Sequence, residues 1–148
     1  MTTAIDAPPE RCFDLARDLD LHQASMASSG ERAVAGRTSG LIGLGEEVTW
    51  RARHFGLMHE HHSKITAFES PLHFRDVMVR GRFKRFEHDH YFAPRRGGTL
   101  MRDVIVFESP LGVLGRMVDA LVLERYLRRL IEERNRVVKA AAESGAVG

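Results

Sequence analysis

Between Glu46 and Phe107 apolar and polar residues alternate with a period of two, broken at short intervals by glycine and proline. In "VTWRARH", Val48, Trp50, Ala52 and His54 alternate with Thr49, Arg51 and Arg53. In "RFEHDHYF", Phe86, His88, His90 and Phe92 alternate with Arg85, Glu87, Asp89 and Tyr91. That is the period of a half-buried strand, and it puts both histidines on the apolar face. The breaks at Gly56, at "ESP" (69 to 71), near Gly81 and at "PRRGG" (94 to 98) are short. Parallel neighbours would need long crossovers, so the pattern predicts successive hairpins of an antiparallel sheet.

Helical spacing frames this region. A short strand-like opening is followed by Asp6, Pro8 and Pro9, which supply a turn and a helix start, and Phe13, Leu15, Ala16 and Leu19 then recur as on one helical face. A short second helix is expected from Leu21 to Met26, and "ERAVAGRTSG" reads as a strand. Pro110 ends the last strand. From Leu111 to about Glu143 a long helix carries the stripe Leu123, Leu127, Leu130, Ile131, Val137 and Val138. Its first part is apolar on another side, through Leu114, Met117, Val118 and Leu121. Either the helix kinks between Gly115 and Val122, or this end buries apolar surface on two sides.

Totals narrow the function classes. A chain of 148 residues, 43% hydrophobic and 28% charged, suits one domain, taken here as residues 1–148. The formal net charge is only +2, with basic residues scattered among acids, so no nucleic-acid partner is expected. Cys12 is the single cysteine, which rules out an intrachain disulfide. The opening "MTTAIDAPPE" does not have the pattern of a secretion signal, and no apolar run reaches spanning length. A cytoplasmic protein is the expectation, with transient contact at a membrane surface left open. Gly40, Gly43 and Gly45 do not make the dinucleotide fingerprint, and no helical pattern follows them.

The order of these segments carries a resemblance. "IDAPPERCFDLARDL", the "GLGEEVTWRARHFG" hairpin leading to "ITAFESP", the "GGTLMRDVIVFESPLG" strand and the helix after it together resemble the START-like (SRPBCC) superfamily. The likeness is specifically to its polyketide cyclase/dehydratase and coenzyme-Q-binding-like branch. The resemblance spans essentially the whole chain. It implies an α+β helix-grip fold: a curved antiparallel sheet of about seven strands wrapped around a long C-terminal helix, with two short helices after the first strand. It also implies a cavity between sheet and helix, used in such proteins for lipids, polyketides, quinones or hormones.

Candidate chemistry centres on the histidines. If Phe92 stands opposite Thr99, then His90 faces Met101, His88 faces Asp103 and Phe86 faces Ile105. If Met78 meets Phe86 on the other side, Asp76 joins the row, giving Asp76, His88 and Asp103 directed at the cavity. Such a row reads as a satisfied buried network, as polar groups orienting a guest, or as an acid–base catalyst built on His88 with Asp103 and Asp76. Trp50, His54, His61, Met78 and Phe86 are expected as cavity walls, together with His88, His90, Met101 and Asp103. "HEHH" (59 to 62) does not have the spacing of a zinc hydrolase, and no metal or cofactor is expected. Leucines beside glycines in "LIGLG" (41 to 45) and "LGVLG" (111 to 115) are expected to form a rim for entry.

Two functional readings follow. The first is binding or transport of a small apolar or amphipathic molecule; the second is a cyclase or dehydratase acting through His88 and Asp103. A ribosome- or protein-binding module is a third, disfavoured by the scattered basic charge.

Overall fold

The computed structural model describes residues 1–145; the three residues after Gly145 lie outside the described residues. Strand β1 (Thr2–Ile5) leads to helices α1 (Pro9–Ala16) and α2 (Leu19–Ser25), followed by β2 (Arg32–Gly36) and β3 (Glu47–His54). Strands β4 (Leu57–Glu69), β5 (His73–Arg80), β6 (Arg85–Arg95) and β7 (Gly98–Glu108) continue the meander. Helix α3 (Gly112–Val118), a π-helical stretch (Asp119–Leu123) and α4 (Glu124–Ser144) complete the chain. All neighbouring strands are antiparallel in one seven-stranded sheet of order β1-β7-β6-β5-β4-β3-β2. The helix-grip expectation and the element order are met.

Local chemistry accounts for the boundaries. Pro9 enters α1 where a missing N–H costs nothing, and the Asp18 carboxylate caps α2 by accepting from the backbone N–H groups of Asp20 and Leu21 (2.9 and 3.2 Å). The β6–β7 hairpin turns on Arg96 and Gly97, with Arg95 paired to Gly98. Gly97 has φ +80°, which glycine adopts without strain. The sequence register centred this turn one residue earlier. As a result every pair is shifted by two: Phe92 faces Met101, His90 faces Asp103, His88 faces Ile105 and Phe86 faces Phe107. A shift of two keeps each side chain on its expected face, whereas a shift of one would have reversed them all. On the other flank Asp76 pairs with His88 as the sequence register has it.

Of the two expectations for the long helix, the interruption is the one observed. Backbone spacing widens through the π-helical stretch 119–123, so α3 and α4 present different faces. The apolar residues of α3 are not buried on a second side: Leu114 is 68% exposed and Met117 58%. In α4 the inward stripe includes two polar residues, Arg134 and Asn135, beside Leu130, Val138 and Ala142.

The core lies where α1 and α4 meet the inner face of the sheet. Phe13 of α1 packs edge-on against Phe68, Phe74 and Phe92, with ring centroids 5.2 to 5.4 Å apart. Edge-on packing sets the positive rim of one ring against the negative face of another. Phe13 is fully buried and anchors α1 to three strands at once. Phe13→Ala should therefore cost about 3–5 kcal/mol of unfolding free energy in chemical denaturation. A loss under about 1 kcal/mol would show that this cluster is not the centre of the core.

Candidate functional site

Alternation along the strands directs one set of side chains into a cavity of about 380 Å³ between the sheet and α4. Its walls include Trp50, Ala52 and His54 of β3, and His59, His61, Ser63 and Ile65 of β4. Phe74 and Asp76 of β5, Phe86, His88 and His90 of β6, and Ile105 of β7 continue the lining. Leu127, Leu130, Ile131 and Arg134 close it from α4. Of the nine residues expected as walls, six line the cavity. Met78, Met101 and Asp103 do not. Met101 is fully buried in the core, paired with Phe92 and Thr3. Met78 packs beside Gly81 at the end of β5. Asp103 sits behind the histidines, because the shifted β7 register sets Ile105 opposite His88 and draws Asp103 back toward α4.

The inward polar groups form one connected cluster. His88 Nε2 donates to Asp103 Oδ1 at 2.9 Å, and His90 Nε2 donates to Asp76 Oδ2 at 2.9 Å. The two carboxylates thus embrace the histidine pair diagonally, with His88 Nδ1 4.0 Å from Asp76 and His90 Nδ1 3.2 Å from Asp103. The imidazoles lie one over the other, with centroids 3.7 Å apart, and Phe74 stacks on His90 at 4.2 Å. Asn135 of α4 donates to the second oxygen of Asp103 at 2.6 Å. Arg134 stands 3.8 Å from Asp103 and donates to the Ala16 carbonyl at 2.6 Å. One ligand atom from each of Asp76, His88 and His90 lies within 4.8 Å of the others. This metal-sized grouping was missed because only the His59–His62 segment was weighed for metal.

Burial governs the charges here. It pushes His88 down to about 4, reinforced by the neighbouring His90, and the two aspartates only partly oppose it. The carboxylates do raise the basicity of His88, but desolvation outweighs them. Burial alone would raise Asp76, but the hydrogen bond from His90 and the charges of nearby histidines outweigh it and bring the carboxyl to about 2. Asp103 is buried as well, yet the hydrogen bond from His88 and the adjacent His90 imidazole hold it well below the usual carboxylate range.

A second polar group meets the same cavity, and of its members only His54 and His61 were expected there from the sequence. His22 of α2 donates to Glu31 at 2.6 Å and stacks on Trp50 at 4.3 Å, while His54 Nδ1 shares a 2.6 Å hydrogen bond with the Tyr126 hydroxyl of α4. His61 is pushed down by burial, while both Asp76 and Glu31 oppose that shift, so it stands within electrostatic reach of each polar group. Glu31 and His22 carry no strand alternation, and only the fold joins them. Tyr126 was legible as a polar-tipped aromatic one residue before Leu127 on the helical stripe.

On the rim, Ile42 and Leu111 line the cavity, whereas Leu44 and Leu114 are exposed and do not line it. "HEHH" divides as strand geometry requires: His59 and His61 face the cavity, and His62 turns outward to Thr49 at 2.6 Å.

A curved antiparallel sheet gripping a long helix over a mostly apolar cavity with a few convergent polar groups defines a START-like protein. Residues 1–143 match the family described as polyketide cyclase / dehydrase and lipid transport, and the chain belongs to it. Among solved structures it is similar to the protein TTHA0849 from Thermus thermophilus, with a TM-score of 0.78 at 21% identity, covering 100% of this chain and 97% of that one. A START superfamily protein from Mycobacterium smegmatis matches with a TM-score of 0.70 at 16% identity, over 97% of this chain and 95% of that one. Major latex-like protein 151 from Panax ginseng matches at 0.71 and 15%, over 96% and 94%. At these identities the likeness is one of fold. No curated protein sequence matches the chain. Among the described residues no helix is long and apolar enough to cross a membrane.

Glu31 makes the electrostatics testable. Burial raises its pKa, but the charge and hydrogen bond of His22 outweigh that and leave it lowered. The folded state then binds fewer protons than the unfolded state, so this stabilisation is present above the unfolded carboxyl pKa of about 4.3 and is lost as pH falls below it. Glu31→Gln should flatten that part of the acid limb in a plot of melting temperature against pH. An unchanged acid limb would show that the His22–Glu31 contact contributes nothing to stability.

Proposed function

We propose that this protein binds a small, largely apolar molecule between the sheet and α4, with an oxygen-bearing end directed at Asp76, His88 and His90. The observation that supports this most is the cavity of about 380 Å³, walled by Trp50, Phe74, Phe86, Ile105, Leu127 and Leu130, with the polar cluster confined to part of its lining. Its size falls in the range of small-molecule pockets, about 300–1,000 Å³. Apolar walls supply affinity, and a few placed polar groups supply orientation. The family description, which names lipid transport beside cyclase and dehydrase chemistry, agrees with this reading.

The cyclase or dehydratase reading rests on His88 at the cavity wall with Asp103 hydrogen-bonded behind it. A general base is most effective with a pKa near the working pH, and His88 is pushed down to about 4. Binding is therefore the better-supported function. A chain acting by this acid–base route would show turnover of a carbonyl-rich substrate that His88→Asn abolishes.

Ala52 is buried and lines the cavity, so Ala52→Phe projects a ring into it. A naphthalene-sulfonate dye should bind the wild-type chain with a saturable, one-to-one rise in fluorescence. In Ala52→Phe that rise should fall at least tenfold in affinity while the circular dichroism spectrum is retained. Equal dye affinity in the two proteins would remove the cavity-binding reading.

A further inference from the structure

We propose that Asp76, His88 and His90 form a binding site for one divalent first-row transition-metal ion, open on its cavity side. The geometry is that of a two-histidine, one-carboxylate triad. Asp76 Oδ2 lies 2.9 Å from His90 Nε2 and 4.0 Å from His88 Nδ1. Ligand atoms about 2.0–2.1 Å from a tetrahedral ion stand roughly 3.3 Å from one another, so the observed separations bracket the required one. All three residues line the cavity, and Asp103 does not.

Proton bookkeeping points the same way. Both nitrogens of His90 face a carboxylate oxygen: Nε2 faces Asp76 at 2.9 Å and Nδ1 faces Asp103 at 3.2 Å. A neutral imidazole carries one proton. If Nε2 donates to Asp76, the unprotonated Nδ1 lies 3.2 Å from an anionic oxygen. His90 is 3% exposed, and its Nδ1 makes no hydrogen bond among the described residues. An ion on Nε2 resolves this conflict, since the proton then resides on Nδ1, beside the Asp103 carboxylate. The same ion on His88 Nδ1 leaves His88 Nε2–H on Asp103, where it already lies at 2.9 Å.

Asp103 would thus hold the outer nitrogen of both ligand histidines, which fixes their tautomers and ring orientations as the partner carboxylates of metal-bound histidines do. Asn135 and Arg134 in turn hold Asp103. A dication also offsets the negative charges of Asp76 and Asp103; Arg134 stands 3.8 Å from Asp103. With imidazole and carboxylate donors, the site suits the class that includes Zn²⁺, Co²⁺ and Fe²⁺. Binding of the ion is independent of what the cavity holds. That its open positions meet an oxygen of the guest rests on the function proposed above.

Titration of metal-stripped protein with Zn²⁺ against a chromophoric chelator should give one equivalent of bound ion. Co²⁺ should add visible ligand-field bands of an imidazole–carboxylate site. His90→Gln and Asp76→Ser should each weaken Zn²⁺ binding by at least 100-fold. Asp103→Asn, acting only through the rings, should weaken it about 10–100-fold. His62→Gln, on the outer face, should leave it unchanged. Circular dichroism and melting curves check that each variant is folded; Asp76 is the most exposed of the three ligands, so Asp76→Ser decides the matter if a histidine variant does not fold. Absence of a tight equivalent, or binding that survives Asp76→Ser or is lost in His62→Gln, would overturn the site. Dye uptake separates the two proposals, since metal binding without dye uptake removes the guest alone, and dye uptake without metal binding removes the ion alone.

Discussion

Asp103 is a carboxylate placed where water cannot reach it, 3% exposed on the inner side of β7, and much of the architecture answers to it. An isolated buried charge is too costly to keep, so it needs donors from several directions. They come from β6 through His88 and from α4 through Asn135, with the His90 ring at 3.2 Å and the Arg134 charge at 3.8 Å beside them. One side chain thereby joins the centre of the sheet to the long helix. Arg134 extends the link to α1 through the Ala16 carbonyl. Apolar contacts draw α4 onto the sheet without specifying its rotation or depth; hydrogen bonds to a buried charge have narrow geometry and specify both.

The same network explains why the cavity can stay open. Elsewhere α1 fills the sheet's concave face with Phe13 and its ring of phenylalanines. Around the histidines the space is not filled, and α4 is held at its distance by polar contacts as well as by packing. The ring pair, stacked under Phe74 and held from behind by Asp103, is pre-positioned before any guest or ion arrives. Pre-positioned polar groups cost little to order on binding. The helix interruption at 119–123 separates this anchored part of the helix from α3, whose start adjoins Pro110 and Leu111 at the cavity edge.

The sheet and α4 enclose a cavity whose lining is rich in histidine. Histidines are concentrated at the cavity: His22, His54, His59, His61, His88 and His90 all line it, His22 beside Glu31. Desolvation holds His88 and His61 toward their neutral forms. Neutral imidazoles offer lone pairs, which suits coordination and acceptance of hydrogen bonds better than charge pairing.

How much of this was legible in advance depends on the kind of periodicity involved. Alternation with a period of two put Trp50, Phe86, His88 and His90 on the inner face, and this survived an error of two in the β6–β7 register because two steps restore the same face. The same error misassigned Asp103 and Met101 as cavity walls, since depth along a strand depends on where the turn falls, and Gly97 rather than Arg95 decided that. Arg134 and Asn135 occupied core positions of the α4 stripe and could have been flagged there as polar residues needing buried partners. His88 meets Asp76 and Asp103 as the strand reading expected, whereas the pairing of His22 with Glu31, of His54 with Tyr126, and of His90 with Asp76 came only from the folded structure. Local sequence dictates which way a side chain faces through backbone geometry alone; which groups meet across strands and helices depends on turn register and helix rotation, and these are set by the packing of the whole molecule.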